Sequence, residues 1–266
     1  MKRVAKGTNT YLVGRGPRRL LIDTGEGKPS WSRLLRDVLS SEKATVHETI
    51  LTHRHHDHVG GVTDLLRICP DARVYKNQPE EEGQIDIADG RIFHVDGASL
   101  RAFHCPGHST DHMALILDEE GSMFTGDNVL GHGTAVFDDL TSYLSSLEKM
   151  QGQFDGRAYP GHGAVIEDGR GRIAEYIRHR QQREDEVMQV LKGGSTGSAK
   201  AAEDGGRSAS AWTPMEMVKI IYRDVPENLH EPAERGLLQV LRKLEGDGKV
   251  ARISPHKWQI QGRAAI

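Results

Sequence analysis

The sequence predicts an α/β protein with a small second domain at its C-terminal end, and three features of the chain indicate this. Segments that read as β-strands are interleaved with segments of helical periodicity through residues 1–192. Four short runs that carry histidine or aspartate each follow a predicted strand, as expected for loops that meet at one edge of a sheet. Residues 193–211 are rich in Gly, Ser and Ala, which is typical of a flexible linker. We therefore expect a first domain at 1–192, this linker, and a second domain at 212–266.

The elements of the first domain follow from the spacing of apolar residues and from the turn signals between them. Gly14 to Pro17 separates the first two strands, and Pro29 marks the first turn of the first helix. The predicted strands are residues 8–13, 19–23, 46–51, 72–75, 91–95, 99–104, 112–117 and 122–125. The predicted helices are residues 29–41, 59–68, 139–150 and 169–192. Residues 76–90 are polar, acidic and without a clear period, so we expect a solvated loop there in preference to a substrate-contacting segment.

The second domain is predicted to consist of two helices followed by a hairpin. Thr213 and Pro214 open the first helix with an N-cap and a proline at the first turn. The second helix, residues 231–245, has apolar residues at helical spacing. A glycine-containing turn then leads into strands at 250–253 and 258–260. Acidic residues lie among the Arg and Lys residues of this domain, and no aromatic platform for bases is visible. We therefore favour a packing or dimerisation role over nucleic-acid contact.

The densest chemical signal lies in residues 51–61, which place four metal-ligand residues within six positions. This run follows a buried strand, and two-residue spacing points His53 and His55 to the same side. The chain then turns, so that Asp57 and His58 project from the start of a helix. Three imidazoles and a carboxylate suit zinc and, less selectively, iron or manganese. At this density, a polar loop that merely happens to be rich in histidine is the weaker interpretation.

Three further sites each place one ligand-type residue beside glycine, after a segment that reads as a strand. They are Cys105-Pro106-Gly107-His108, Thr125-Gly126-Asp127-Asn128 and Tyr159-Pro160-Gly161-His162-Gly163. Taken singly, each is more often an ordinary turn than a ligand site. Together with the opening run they supply seven ligands, which is strong evidence for a metal centre. We expect Cys105 to be a small buried residue in preference to a thiol near the metals.

Length, charge and cysteine content set further limits on function. A chain of 266 residues can bury a full core, and a formal net charge of -3 gives no general attraction to nucleic acid or to anionic membranes. No apolar run approaches the ~18 residues of a spanning helix, and the N-terminal residues lack the apolar stretch of a secretory signal. Two cysteines do not make a disulfide framework, and the many histidines suit a reducing, metal-supplied interior. We therefore expect a cytoplasmic protein.

In these motifs the chain resembles the metallo-β-lactamase-fold hydrolases. The HxHxDH run, the third histidine, the bridging aspartate and the last histidine of that family occur here in the same order. The resemblance implies a four-layer αββα sandwich, and a small winged-helix-like domain at the C-terminal end, as in the β-lactamase-like-2 branch. Family members usually carry another strand before the match at residues 7–11, so we expect either that the first sheet lacks an edge strand or that the sequence is truncated before this point.

The resemblance also implies a pair of zinc ions per chain, with manganese or iron as alternatives. The ligands implied for the first ion are His53, His55 and His108. The ligands implied for the second ion are Asp57, His58 and His162. Asp127 would bridge the two ions, and Asp23 would support the site from behind without binding metal.

Within the family, the chain most closely resembles the metallo-β-lactamase-type thioesterases that accompany non-reducing polyketide synthases in fungi. The most telling blocks are residues 7–11, 23–27, 57–61, 124–134 and 176–180. This resemblance implies hydrolysis of an aromatic polyketide acyl thioester carried by the acyl-carrier-protein domain of such a synthase. One departure is Arg54, where relatives commonly have tryptophan. We hypothesise that its charge reshapes the rim or attracts an anionic carrier or phosphopantetheine arm.

The expected mechanism follows from two metals that share Asp127. Such a pair lowers the pKa of a shared water and gives a bridging hydroxide as nucleophile at neutral pH, with Asp57 and Asp127 as catalytic ligands. A thiolate, whose free pKa is near ~8.5, departs without a proton, whereas an alkoxide or an amide nitrogen leaves more easily with a general acid. His132, shortly after the bridging aspartate, is a candidate proton donor or substrate contact. A loop histidine that faces solvent is an equal alternative.

Two other classes of function stay open. The β-lactamase-like-2 branch includes endoribonucleases, so a metal-dependent single-strand endoribonuclease is the enzymatic alternative, and steep salt dependence of RNA binding would distinguish it. The sequence shows no inserted nucleic-acid-binding domain between Asp127 and His162, which favours the thioesterase. The second alternative is a non-catalytic metal-binding scaffold, and metal content per chain tests it.

Overall fold

The computed structural model describes residues 7–193 and 211–261. The chain divides into two compact units, Met1–Ile177 and Arg178–Ile266, and the boundary between them falls inside a long helix, Gly169–Gly193. The predicted linker, 193–211, lies outside the described residues except at its two ends. The predicted domain boundaries therefore stay a prediction. Within the described ranges, no helix combines the length and the apolar character that crossing a bilayer requires.

The first unit contains two five-stranded sheets in which each strand lies beside its sequence neighbour. The first sheet consists of β1 (Tyr11–Val13), β2 (Arg18–Ile22), β3 (Thr45–Leu51), β4 (Arg73–Lys76) and β5 (Gln84–Asp86). The second sheet consists of β6 (Ile92–Val95), β7 (Ala98–His104), β8 (Met113–Leu117), β9 (Ser122–Gly126) and β10 (Ala158–Pro160). Strands β2 to β5 are parallel, β1 is antiparallel to β2, and β6 to β9 alternate in direction before β10 joins β9 in parallel.

The hydrophobic core of this unit lies between the two sheets. Along β7, every second residue is buried, as period-2 geometry requires of a strand with one inward face. These residues contact inward-facing residues of the first sheet, and together they form one apolar cluster: Val13, Leu20, Ile22, Ile50, Tyr75, Ile87, Phe93, Ala98, Leu100, Ala102, Met113, Leu115, Leu117 and Phe124. The two sheets therefore form the inner layers of a sandwich.

Helices cover the outer faces of the sandwich. They are α1 (Pro29–Glu42), α2 (His56–Val59), α3 (Val62–Ile68), α4 (Leu140–Gln151) and, as far as Ile177, the first part of α5 (Gly169–Gly193). Leu35 and Leu39 of α1 and Leu65 of α3 form a second apolar cluster with Leu21 and Val46 of the first sheet. On the second sheet, the Tyr143 hydroxyl of α4 donates to the carbonyl of Asn128, and the Ser146 hydroxyl donates to the carbonyl of Pro106. The predicted αββα arrangement is thus present.

The C-terminal unit has the predicted order of two helices and a hairpin: α6 (Pro214–Ile221), α7 (His230–Gly246), β11 (Val250–Ser254) and β12 (Lys257–Ile260). Thr213 and Glu216 form a capping box at the start of α6, which satisfies backbone donors that the first helical turn leaves free. The predicted apolar stripe of α7 is buried: Leu237, Val240, Leu241 and Leu244. Trp212 pairs through its backbone with Trp258 of β12, so the segment before α6 adds to the hairpin.

Two predictions about the first unit are wrong in detail. The predicted loop 76–90 contains a strand, β5, which is too short and too polar to show a period. Lys76, the first residue of the predicted loop, is buried and not exposed to solvent. The predicted helix 59–68 begins only at Val62, because a separate short helix, α2, ends at Val59 and Gly60 and Gly61 lie between the two. A Cβ atom on Gly61 would lie 2.1 Å from the Thr24 carbonyl oxygen, so the break lets the chain pass close to the residues after β2.

Candidate metal centre

The predicted ligands come together at one edge of the first unit because the strands that precede them run in the same direction. In the second sheet, β7, β9 and β10 share one direction, and their C-terminal ends lead to His108, Asp127 and His162. In the first sheet, β3 leads to His53 and His55, and the helix α2 that follows carries the next two ligands. Because the carboxyl ends of such strands meet at one edge, side chains far apart in sequence become neighbours.

The first ligand group consists of His53, His55 and His108. The Nε2 atom of His53 lies 3.0 Å from Nδ1 of His55 and 3.2 Å from Nε2 of His108, and Nε2 of His108 lies 3.0 Å from Nδ1 of His55. Three imidazole nitrogens thus converge on one point. His53 and His108 are buried, and His55 is half-buried.

The second ligand group consists of Asp57, His58 and His162. The Oδ2 atom of Asp57 lies 3.1 Å from Nε2 of His162 and 3.6 Å from Nε2 of His58. The hydroxyl of Thr8 donates to the same Asp57 oxygen at 3.1 Å, which helps to orient the carboxylate. Asp57 and His162 are half-buried, so this group is the more open of the two.

Asp127 lies between the two groups. Its Oδ2 atom is 3.3 Å from Nε2 of His162 and 3.7 Å from Nε2 of His108, and its Oδ1 atom is 3.4 Å from Nε2 of His58. One carboxylate oxygen therefore faces a histidine of each group. This placement is the one that a bridging ligand requires.

The spacing of these atoms fits a metal centre better than a hydrogen-bonded cluster. Ligand atoms ~2.1 Å from a tetrahedral ion lie about 3.4 Å apart, close to the separations seen within both groups. The buried atoms His58 Nε2 and Asp127 Oδ1 have no hydrogen-bond partner, although buried polar atoms in proteins are nearly always paired. Neutral imidazole and carboxylate are borderline to hard ligands, which suits a divalent transition metal. The residues present therefore fit the metal ions that the resemblance implies.

Residues behind the ligands fix which nitrogen of each imidazole faces the centre. His58 Nδ1 donates to Asp23 Oδ2 at 2.7 Å, and His108 Nδ1 donates to the carbonyl of Val136 at 2.8 Å. In both rings Nδ1 therefore carries a proton, and Nε2 is the nitrogen that faces the site. Asp23 in turn accepts from the backbone N–H and the hydroxyl of Thr52, at 2.8 Å and 2.9 Å. Asp23 thus contacts the ligand His58 directly and reaches the ligand His53 through the Thr52 hydroxyl, which lies 3.0 Å from His53 Nδ1.

Burial and charge act differently on the pKa values of the two groups. Burial lowers the pKa of His53 well below its ordinary value and also lowers that of His108, so both rings are neutral at physiological pH. Burial also lowers the pKa of His58, but Asp23 and Asp127 together outweigh it and raise the value to about 10. Hydrogen bonds with Asp127 and Asp57 raise the pKa of His162 to about 9.

The same contacts keep the two carboxylates ionised. The hydrogen bond from His162 is the main cause that lowers the pKa of Asp57 to about 2. Burial raises the pKa of Asp127, but the imidazoles of His162 and His58 beside it outweigh burial and bring the value far below the usual range. The centre therefore offers two anionic carboxylates to a cation.

Three other predicted residues lie around the centre. His132 is exposed and packs beside Gly163, next to the ligand His162, so it is at the rim. Arg54 is also at the rim, where its Nη2 atom donates to Asp138 at 2.9 Å and its Nη1 atom lies 3.7 Å from Asp111. Cys105 is fully buried, as expected, and burial raises the pKa of its thiol to about 12.

The sequence pattern did not reveal two buried arrangements next to the ligands. His112 is fully buried and accepts a hydrogen bond from the backbone N–H of Asp127 at 3.1 Å. Lys76 and Asp111 form a buried ion pair at 2.8 Å between β4 and the segment after His108. The closeness of Asp111 and His112 to His108 in the sequence is the feature that could have pointed to them. For Lys76, we found no such feature in the sequence.

Comparison with known proteins finds a family match for each of two parts of the chain. Residues 3–162 match the metallo-beta-lactamase superfamily, and residues 213–258 match the beta-lactamase associated winged helix domain. A solved structure of a metallo-beta-lactamase family protein from Thermus thermophilus covers 95% of this chain and 93% of its own, with a TM-score of 0.70 and 22% identity. At that identity, the likeness shows the fold.

Curated fungal proteins are similar over nearly the whole chain. A lactamase-like protein from Emericella nidulans is 42% identical over 264 residues, which cover 97% of this chain and 83% of that protein. An atrochrysone carboxyl ACP thioesterase from Passalora fulva is 44% identical over 265 residues, which cover 96% of this chain and 76% of that protein.

Proposed function

The chain belongs to the metallo-β-lactamase superfamily, and we propose that it is a thioesterase that binds two zinc ions and hydrolyses an acyl thioester on an acyl carrier protein. The observation that carries this proposal is the position of Asp127, whose carboxylate faces histidines of both ligand groups. Similarity to proteins named as acyl-carrier-protein thioesterases supports the substrate class. From the family resemblance of the sequence we propose an aromatic polyketide as the acyl group and a non-reducing polyketide synthase as the source of the carrier domain.

Neither the Cys105 thiol nor the Ser109 hydroxyl is suited to replace water as the nucleophile. The Cys105 thiol is fully buried, and burial raises its pKa to about 12, so almost none of it is thiolate at neutral pH. The hydroxyl of Ser109 is buried and donates to Asp111 at 2.7 Å. A pair of divalent ions, when bound, lowers the pKa of water toward neutrality and polarises a carbonyl oxygen.

The residues of the chain then have distinct tasks. His53 and His108 present neutral lone pairs, and Asp57 and Asp127 present the negative charge that balances the cations. Asp23 holds the ring of His58 in one orientation. A thiolate leaving group needs no proton, so thioester hydrolysis does not require a general acid at this site. We assign His132 to the rim, as a substrate contact in preference to a proton donor.

Parallel assays of three substrates test the proposed function. The zinc-loaded protein is offered an acyl thioester, a β-lactam and a short single-stranded RNA, each with the Asp127→Asn variant as the control for the metal centre. We expect thiol release to exceed the other two activities by far and to disappear in the variant. RNA cleavage without thiol release would replace the proposal by a nuclease function. Absence of all three activities in a fully loaded protein would favour a metal-binding scaffold.

A further inference from the structure

His112 is a buried histidine beside the first ligand group that belongs to neither group. It precedes β8, four residues after His108, and its side chain is fully buried. The centroid of its ring lies 5.3 Å from that of His53 and 5.9 Å from that of His108. A histidine in that position requires an explanation, because burying a polar ring without partners is costly.

Both ring nitrogens of His112 have partners, and these partners fix its tautomer. The backbone N–H of Asp127 donates to Nε2 at 3.1 Å, so Nε2 carries no proton. The proton therefore lies on Nδ1, which donates to the Sγ atom of Cys105 at 3.2 Å. The neutral ring accepts from the turn that carries Asp127 and donates to the start of the segment that carries His108.

The turn around Asp127 is shaped to admit this ring. Gly126 has a φ of +50°, and a Cβ atom on it would lie 2.6 Å from Nε2 of His112. The carbonyl of Gly126 accepts from the N–H of Gly161 at 2.8 Å, next to the ligand His162. The side-chain amide of Asn128 donates to the carbonyl of Cys105 at 2.7 Å. Hydrogen bonds on both sides of Asp127 thus connect its turn to the segments of the other ligands.

We propose that His112 is a positioning residue that holds Asp127 between the two ligand groups by accepting its backbone N–H. Without this acceptor, the N–H would be buried and unsatisfied, which is unfavourable, and the turn would move to find another partner. The Asp127 carboxylate would then lose its alignment with His108 and His162. This inference rests on the metal centre of the proposed function, but not on the identity of the substrate.

Two amide variants separate the contact with Asp127 from the general packing of the ring. In His112→Gln the side-chain oxygen reaches the position of Nε2 and can accept from Asp127. In His112→Asn the shorter amide reaches only the position of Nδ1, near Cys105. Both variants lose the imidazole and keep a polar amide, so a loss due to packing alone affects them similarly. His94→Gln, at an exposed histidine of β6, is the control for the substitution itself.

The readout is the affinity for Zn²⁺, measured by competition with a chromophoric chelator, beside the unfolding midpoint of each metal-free variant. We expect His112→Asn to lose about 10- to 100-fold in affinity, the usual effect of removing a partner behind a metal ligand. His112→Gln should stay close to the unsubstituted protein. Equal affinities for the two variants, or a larger loss for Gln, would overturn the positioning role. The zinc titration contains no substrate, so its result does not depend on the thioesterase proposal. If the unsubstituted protein binds zinc but releases no thiol in the substrate assays, only the thioesterase proposal is refuted.

Discussion

The two ligand groups lie side by side at one edge of the sandwich, but they are prepared for metal in different ways. In the first group, His53 and His108 are neutral because burial lowers their pKa values. In the second group, nearby carboxylates raise the pKa values of His58 and His162 to about 10 and about 9, so both rings are protonated at pH 7 in the absence of metal. The first group therefore presents lone pairs from the outset, whereas the second must exchange protons for its cation.

Asp127 is the residue that the two groups share, so its removal should have the largest effect. We expect Asp127→Ala to lower thiol release by at least about 10²–10³-fold, the scale of losing one group that stabilises a transition state. Metal content measured by elemental analysis should fall as well, because histidines of both groups face this carboxylate. His94→Gln is the control. Full metal content and an unchanged rate in Asp127→Ala would show that the groups do not depend on a common ligand.

The low pKa values of the first group depend on burial, and a buried ion pair stabilises the segment that follows its ligand His108. Lys76 and Asp111, three residues after His108, are both almost fully buried and lie 2.8 Å apart. Lys76→Met removes the buried cation and leaves only the more distant, one-third exposed Arg54 beside the Asp111 carboxylate, so we expect the free energy of unfolding of the metal-free protein to fall by about 3 kcal/mol. Urea unfolding measures this loss. Arg67→Met, which removes an exposed pair with Asp64, should change stability by less than about 1 kcal/mol. Similar losses for the two variants would contradict the importance of burial here.

The raised histidine pKa values of the second group predict that metal binding releases protons. His58 and His162 are protonated below pH 9 to 10 in the metal-free protein and must be neutral to bind a cation, so metal displaces up to two protons at pH 7. Apparent affinity should therefore rise with pH through neutrality, by up to about tenfold per pH unit for each displaced proton, and level off above the two pKa values.

Variants at each group localise that proton release. In weakly buffered solution, His108→Ala should keep most of the release, because the second group stays intact. His162→Ala removes a protonated ring and its contact with Asp57, and should lower the release clearly. If both variants release the same number of protons on metal binding, the two ligand groups do not differ in protonation as described.

Arg54 is at the rim of the first group and should have the smallest effect. Its side chain is one-third exposed and already faces Asp138 and Asp111, so little of its charge is left for a carrier. We expect Arg54→Trp to change the turnover of carrier-bound thioester by at most about fivefold, the equivalent of ~1 kcal/mol. A much larger loss that grows at low ionic strength would instead support recognition of an anionic carrier.

The sequence predicted the parts of the centre that depend on local pattern. Ligands such as His53 and Asp57 belong to one dense run, and period-2 strands lead to the other loops, so the edge where they meet could be predicted. The pair of Lys76 and Asp111 could not, because 35 positions separate two residues whose attraction exists only after the sheets pack. The role of His112 also depends on a backbone N–H, which no side-chain pattern encodes.

Metal analysis before and after chelation tests the central claim most directly. The protein is purified without added metal, its transition-metal content per chain is measured by mass spectrometry, and thiol release is assayed before chelation, after chelation, and after zinc is restored. The account predicts two ions per chain when loaded, loss of thiol release on chelation, and recovery with zinc. A protein that holds no transition metal, or that releases thiol equally well after chelation, would contradict it.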